Sequence, residues 1–157
     1  MRLLYIYMSL IEQIKAGTAD LDKLQHVKLQ NAEFTEISFV GANLNSAQLR
    51  NAVFENCDMR GADLMSCDLR GTKLRNCDLR GANFNKADIR GADLGNSNLS
   101  GATFCGANLC NASLCWADCD GTEFGCANMH YTDMRGAQVK GAVWASANTH
   151  KLRGVNV

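Results

Sequence analysis

The sequence contains no proline, and aromatic residues make up only 7% of its 157 residues. Proline lacks a backbone N–H, so its absence indicates a chain whose amides are needed almost everywhere, as in a long hydrogen-bonded ladder. The few aromatics favour a core of small and medium aliphatic side chains and argue against a pocket rich in Trp and Tyr. No apolar run reaches 18 residues, so we expect no membrane-spanning helix and no membrane partner.

The sequence also lacks an excess of either charge, with 16 basic and 16 acidic side chains. A nucleic-acid-binding protein normally shows a basic excess, and a disordered acidic segment would shift the balance the other way. We therefore expect no direct contact with nucleic acid. The length fits one domain.

The dominant pattern is a five-residue repeat. Every fifth position from Phe34 to Trp144 is apolar, and a small side chain stands two residues before nearly all of them, Ile37 being the large exception. Five residues advance a helix by about 500°, so this spacing draws no helical stripe. In a plain strand an odd spacing would switch faces at each repeat. The chain must therefore turn within every repeat. The five-residue pattern predicts a core of inward apolar side chains. One column of that core consists of Leu44, Leu64, Phe84, Phe104, Phe124 and Trp144.

A second period of 20 residues groups four repeats into one coil. Glycine recurs at 41, 61, 81, 101, 121 and 141, and an Asn or Gly column runs from Asn31 to Asn111 before it fails at Tyr131. Gly and Asn tolerate positive φ, so these columns predict corners that need it.

The repeats carry the pattern Ala, then Asp or Asn, then Leu or Phe, as in Ala42-Asn43-Leu44 and Ala82-Asn83-Phe84. This pattern resembles the pentapeptide-repeat family over roughly residues 22–150. The resemblance implies an all-β fold, a right-handed quadrilateral β-helix with the large and the small residue both pointing inward. We expect an N-terminal cap over 1–20, about six coils over 21–150, and a C-terminal tail over 151–157. At about 4.8 Å per coil the rod is about 30 Å long.

The two ends of such a rod expose unpaired backbone groups and need cover. Ser9 and Glu12 have capping-box spacing, and Lys15 with Gly17 is typical of a helix end, which predicts a helix from about 10 to 16. The run 3–8 has three open roles: it extends the cap, pairs with a partner, or is an extension of the chain. With Arg2, a short apolar run, and Ala16 and Ala19 downstream, the N-terminal segment also resembles a weak signal peptide, although Glu12 and Lys15 interrupt it. No helical pattern covers the C-terminal end, which gives the hypothesis of a homodimer through that end.

The eight cysteines follow the repeat. Four occupy inward positions and four occupy outward ones; the inward set is Cys57, Cys67, Cys77 and Cys119, and the outward set is Cys105, Cys110, Cys115 and Cys126. We interpret the inward set as buried small hydrophobes. Cys57 and Cys77 lie one coil apart, within disulfide reach, although parallel side chains argue against a bond. Exposed unpaired thiols favour a reducing compartment, so we expect a cytoplasmic protein.

Motifs for metal binding and catalysis are weak. Cys110, His130 and His150 are 20 residues apart and should stack along one edge, but three ligands in a straight ladder do not converge tetrahedrally. The many Asp residues repeat on every side of the rod, unlike a paired acid and base. We therefore expect no metal, no cofactor, no catalytic residue and no enzyme activity.

The surface charge leaves two interpretations open. Arg50, Arg70 and Arg90 share one column, Arg60 and Arg80 share another two faces away, and an Asp stands two residues before four of these five. Either the pairs neutralise one another on a solvated face, or the five arginines form a charge-striped docking surface for a protein partner.

The resemblance implies two functional settings, gyrase-protecting mimics of DNA and adaptor or scaffold modules. A mimic of phosphate needs a sustained acidic face, whereas residues 49–100 carry eight basic and seven acidic side chains. We therefore predict a non-enzymatic protein-interaction or scaffold rod with a protein partner. A DNA-mimicking protein that binds gyrase or another topoisomerase is the alternative.

Overall fold

The N-terminal end of the rod is covered by a short helix. The computed structural model describes residues 10–157, of which residues 10–15 form the helix α1. Ile14 is buried on the first coil, with Leu10 and Ile11 packed beside it. Gly17 follows with a φ of +68° and donates to the Ile14 carbonyl at 3.0 Å, which ends the helix. The short cap helix that the sequence predicted is therefore confirmed; Ser9 and the run 3–8 lie outside the described residues.

The rest of the chain is the predicted right-handed quadrilateral β-helix. A single 3-10 turn, Leu21–Lys23, leads from the cap into the coils. Three short parallel strands, β1 (Glu33–Thr35), β2 (Val53–Glu55) and β3 (Lys73–Arg75), pair in the order β1-β2-β3. Elsewhere, isolated parallel bridges join residues 20 apart, such as Asp58 and Asp78. No helix in residues 10–157 is long and apolar enough to cross a membrane.

Four faces surround the core, and each is named by its inward residues. Face A is centred on Leu44, Leu64, Phe84, Phe104, Phe124 and Trp144. Face B is centred on Leu49, Leu69, Ile89, Leu109 and Met129. Face C is centred on Phe34, Phe54, Leu74, Leu94, Leu114 and Met134, and face D on Phe39, Met59, Leu79, Leu99, Cys119 and Val139.

Backbone hydrogen bonds run along the rod. The Leu44 amide donates to the Asp63 carbonyl in the next coil at 2.8 Å, and the Asp63 amide donates back to the Ala42 carbonyl at 2.9 Å. The same pair of bonds recurs on each face, so almost every amide at an inward position or beside one is used. Proline would remove one of these donors, which explains its absence.

The corners need positive φ far more widely than the sequence predicted. Every fifth residue from His26 to Lys151 has it, including Trp116 at +62° and Tyr131 at +59°. The Gly and Asn columns therefore mark only part of the requirement, and the corner geometry continues through Tyr131, where the column of Asn and Gly residues ends. Stacking on neighbouring coils fixes the corner geometry and offsets a strain of about 1 kcal/mol or more at each such residue without glycine.

The core is continuous along the rod. Every inward centre from Phe34 to Met134 is fully buried. On face A, the rings of Phe84, Phe104, Phe124 and Trp144 stack with centroid separations of 4.6, 5.3 and 4.7 Å. Trp144 and Val139 are only partly buried, because none of the described residues stacks on the far side of the last coil.

Candidate functional site

Four of the five outward arginines on faces B and D, all except Arg50, are held by aspartates of their own repeat. Arg60 donates from Nε and Nη2 to the two carboxylate oxygens of Asp58 at 2.9 and 2.7 Å. An inward residue separates the two, so both side chains leave the same face together. The same two-bond pair joins Arg70 to Asp68, Arg80 to Asp78, Arg90 to Asp88 and, on face C, Arg135 to Asp133.

Contacts between coils join these pairs into a ladder. Nε of Arg60 lies 3.7 Å from the Asp78 carboxylate one coil on, and Arg70 has the same relation to Asp88. On face C the Nε of Arg75 reaches Asp93 at 2.7 Å. Four of the five arginines predicted as a docking surface, 60, 70, 80 and 90, are thus already ion-paired.

The pairing shifts the acidity of the carboxylates. The hydrogen bond from its own arginine lowers the pKa of each ladder aspartate, at 58, 68, 78 and 88. On face C the bond from Arg135 lowers the pKa of Asp133 to about 2. These groups therefore stay ionised and paired at neutral pH.

Arg50 differs from the other four, because Gln48 takes the place of the aspartate before it. It makes no ion pair within residues 10–157. An open groove of about 410 Å³ lies beside it, lined by Gln30, Asn31, Arg50, Asn51, Asp68 and Arg70. Among the predicted docking residues, Arg50 therefore has the guanidinium with the most spare hydrogen-bonding capacity.

The ladder stops abruptly beyond Asp93. Residues 48–93, the ladder region, carry eight basic and seven acidic side chains, whereas residues 94–134 contain neither Lys nor Arg. We call residues 94–134 the aromatic region, because Trp116 and Tyr131 are its exposed large side chains. Three of its four acidic residues, Asp118, Asp120 and Glu123, make no ion pair within the described part of the chain, whereas Asp133 is held by Arg135.

Trp116 is the most exposed large hydrophobic residue among those described, at 70%. It stands at the corner between faces C and D, and its indole lies over Gly136, one coil further on. A Cβ added to Gly136 would clash with Cε3 of the indole. Sequence reasoning missed this residue; the signal available was the 20-residue spacing that places a glycine next to the tryptophan.

The Cys110, His130 and His150 column forms as predicted from the spacing. The two imidazole rings stack at 5.1 Å with 9° between their planes, and Tyr131 packs edge-on to His130 at 4.3 Å. Parallel rings present their nitrogens side by side rather than toward one point. Within residues 10–157 no group of three or more His, Cys, Asp or Glu side chains is arranged to hold a metal ion.

All eight cysteines are free thiols. Four are buried, and among them the Cys67 thiol donates to the Leu44 carbonyl at 2.9 Å. Burial raises the pKa of Cys67 and of Cys119 to about 12. The Cys57 and Cys77 thiols contact each other, and this hydrogen bond together with burial raises the pKa of Cys77. Cys105, Cys110 and Cys115 are half-buried and Cys126 is exposed.

Comparison with known families identifies the repeat. A model described as "Pentapeptide repeat region" matches residues 27–104, and one described as "Pentapeptide repeats (8 copies)" matches residues 107–143. No curated protein matches the chain.

Solved structures with the same fold include three pentapeptide-repeat rods. A pentapeptide repeat protein from the Arabidopsis thaliana thylakoid lumen is 30% identical, with a TM-score of 0.59 over 60% of this chain and 66% of that one. One from the cyanobacterium Cyanothece 51142 is 24% identical, with a TM-score of 0.53 over 76% and 88%. QnrB1, a plasmid-mediated fluoroquinolone resistance protein, is 24% identical, with a TM-score of 0.54 over 82% and 65%. The last two likenesses show the fold alone.

Proposed function

The chain belongs to the pentapeptide-repeat family, and from that premise we propose that it is a non-enzymatic protein-interaction rod. The observation that carries the proposal is the presence of two large exposed aromatics, Trp116 at 70% and Tyr131 at 42%, on the outside of the rod. Trp and Tyr dominate the energetics of protein interfaces, because they bury a large area at a small cost in conformational entropy. A stack of rigid coils holds both at fixed positions.

The outward carboxylates support a structural rather than a catalytic role. Oδ1 of Asp58 accepts from the backbone amide of Arg60 at 3.3 Å, and Oδ1 of Asp63 accepts from that of Met65 at 3.1 Å. The same bond, from the amide two residues on, recurs at Asp or Asn on all four faces. Each such side chain stabilises its own corner, which explains why the repeat prefers Asp or Asn at this position.

The predicted docking surface on Arg50, Arg60, Arg70, Arg80 and Arg90 stays a prediction. A partner that docks there must share or replace the aspartates that already hold four of the guanidiniums, and only Arg50 offers an unpaired one within the described residues. The charge reversal Arg70→Glu with Arg90→Glu tests this surface. Loss of partner capture would support it, and unchanged capture would argue against it.

The C-terminal end supports the homodimer hypothesis. Val139, Ala142, Trp144 and Leu152 in the last coil are only partly buried, although they continue the core. A second copy stacked on this end would cover them. Light scattering as a function of concentration tests the hypothesis, and a strict monomer at high concentration would remove it.

A DNA-mimicking protein directed at gyrase remains the second candidate. The aromatic region favours it, with four acidic residues and no Lys or Arg between 94 and 134, whereas the neutral ladder region opposes it, because a mimic needs a sustained acidic face. A gyrase supercoiling assay separates the two candidates. Inhibition or drug protection at stoichiometric levels of the rod would favour mimicry.

Affinity capture tests the principal proposal. The full chain is immobilised and incubated with extract of its native cells, and free rod is added in excess as the control competitor. We expect one or a few proteins to be captured and displaced by the free rod. If the competitor displaces no protein, the interaction proposal fails.

A cytoplasmic location belongs to the same proposal. Its support is the set of eight free thiols, four of which reach the surface at least partly, since such thiols persist in a reducing compartment. Alkylation of the protein in intact cells before lysis tests it. We expect all eight cysteines to be recovered reduced, and disulfide-linked peptides would contradict the location.

A further inference from the structure

We propose that Trp116, Asp118 and Asp120 form a docking site for a Lys or Arg side chain in a basic segment of a partner protein. The site deepens the proposed function, on which it rests, by naming the chemical class of the partner. It places the contact in the aromatic region rather than on the arginines of the ladder region.

The indole of Trp116 is fixed before any partner arrives. One side of the ring fills the space that a Cβ on Gly136 would occupy, and the residue is nevertheless 70% exposed. The ring therefore packs on the rod wall and presents most of its surface to solvent. An aromatic ring held in this way loses little conformational freedom on binding, and its face attracts a cation placed within about 6 Å.

Two carboxylates follow the tryptophan on face D. In the ladder region this face carries Asp58 with Arg60 and Asp78 with Arg80, whereas here an aspartate, Asp120, stands where the arginine would be. The negative charges of Asp118 and Asp120 therefore lack an arginine in the same repeat, such as the one that neutralises Asp58 or Asp78.

Hydrogen bonds orient these two carboxylates through one oxygen atom each. Oδ1 of Asp118 accepts from the Asp120 amide at 3.1 Å, and Oδ1 of Asp120 accepts from the Lys140 amide at 2.8 Å. Neither Oδ2 accepts a hydrogen bond from the described residues. Two cations lie one coil further on: Lys140, whose amide contacts Asp120, and Arg135, which Asp133 holds at 2.6 Å. Neither forms an ion pair with Asp118 or Asp120.

Charge complementarity therefore selects the occupant. An exposed indole at the corner before face D, followed along that face by two carboxylates, suits a side chain that is both cationic and able to donate several hydrogen bonds. Arginine and lysine meet both needs. Because neither Lys140 nor Arg135 forms an ion pair with Asp118 or Asp120 in the described structure, both carboxylates remain available to a cation from another molecule.

A peptide titration tests the site directly. The probe is a decapeptide of alternating glycine and arginine, and the control probe replaces arginine with uncharged citrulline. Trp116 fluorescence is read in a Trp144→Phe background, which leaves one tryptophan and keeps an aromatic ring against Phe124. We expect the arginine peptide alone to shift the emission, with saturation below about 1 mM. Equal responses to both peptides, or no response, would overturn the proposal.

Variants assign the binding to these residues, with calorimetry as the readout because the fluorophore is removed in one of them. We expect Trp116→Ala to weaken the arginine peptide about tenfold or more, and Asp118→Asn with Asp120→Asn to weaken it several-fold and to reduce its salt dependence. Asp58→Asn, on the same face in the ladder region, should change nothing. Unchanged affinity in Trp116→Ala would overturn the site.

Two glycine variants distinguish an effect of the indole's position on binding from an effect of backbone strain at the corner. Gly136→Ala and Gly121→Ala impose alanine on nearly the same backbone, at φ of +76° and +65°, but only at 136 does the new Cβ meet the indole. We expect Gly136→Ala to lose affinity and Gly121→Ala to retain it; equal affinities would count against a fixed indole. If the peptide fails to bind while affinity capture succeeds, this site is wrong and the interaction function stands.

Discussion

The ladder region and the aromatic region share one backbone and differ almost completely in what they show to solvent. Residues 48–93 present arginines and aspartates that pair with one another, whereas residues 94–134 present an exposed indole, a tyrosine and three carboxylates, at 118, 120 and 123, that have no ion pair among the described residues. Inward residues in both regions are equally buried. Inward positions and corners therefore determine the fold, which leaves the outward positions free to differ in function.

The largest expected difference between the regions lies in the core of face A. Phe104→Ala removes an inner ring of the four-ring aromatic stack and should lower the free energy of unfolding by about 3–5 kcal/mol, because it leaves a large cavity between two coils. Leu64→Ala in the ladder region should cost less, about 2–4 kcal/mol, because its side chain is smaller. Urea unfolding of both variants measures the difference, and a greater loss in Leu64→Ala would contradict the importance of the stack.

The next largest effect should be a difference in reactivity between inward and outward cysteine thiols. The inward cysteines at 57, 67 and 77 belong to the ladder region, and the outward ones belong to the aromatic region. With a pKa of about 12, Cys67 and Cys119 hold about a thousandfold less thiolate than an ordinary cysteine. Ellman's reagent should label four thiols rapidly in the native rod and all eight in denaturant. Rapid native labelling of all eight would show that the coils open.

Glycine-to-alanine substitutions at the corners should have the same effect on stability in both regions. Gly61 and Gly121 both have positive φ, +63° and +65°, and nothing lies within 4 Å of an added Cβ at either position. Replacing either with alanine should cost about 1 kcal/mol, from backbone strain alone. Thermal or urea unfolding measures both. A large difference between the two would mean that the corners are not equivalent along the rod.

The smallest effect should be the acid response of the ladder. The arginine bonds lower the folded-state pKa of Asp68 and Asp88 below the ordinary 3.8, so their stabilisation is present above that pH and is lost as the pH falls through the folded pKa. We expect Asp68→Asn with Asp88→Asn to flatten the fall in Tm between about pH 4 and pH 2.

Asp118→Asn is the matched control for this acid response, because it removes a carboxylate that has no ion pair in the described structure. It should leave the acid profile nearly unchanged. A profile that flattens equally in this control would assign the acid response to something other than the ladder.

Much of this architecture could be predicted from the sequence, because the repeat encodes it locally. The inward column, the 20-residue coil and the cap helix over residues 10–15 all follow from spacing. The positive φ of Tyr131 could not be predicted, since stacking imposes on it a conformation that its side chain disfavours. The packing of Trp116 on Gly136 was not predicted either, because it depends on side-chain contacts between coils rather than on either residue alone.

Binding of partners to the aromatic region, with the ladder left untouched, can be measured by quantitative affinity capture with three baits: the unmodified rod, Trp116→Ala, and the pair Arg70→Glu with Arg90→Glu. We expect the protein displaced by free rod to be lost with Trp116→Ala and retained with the charge-reversed ladder. Retention by Trp116→Ala together with loss in the charge-reversed rod would contradict it and move the docking surface to the arginines.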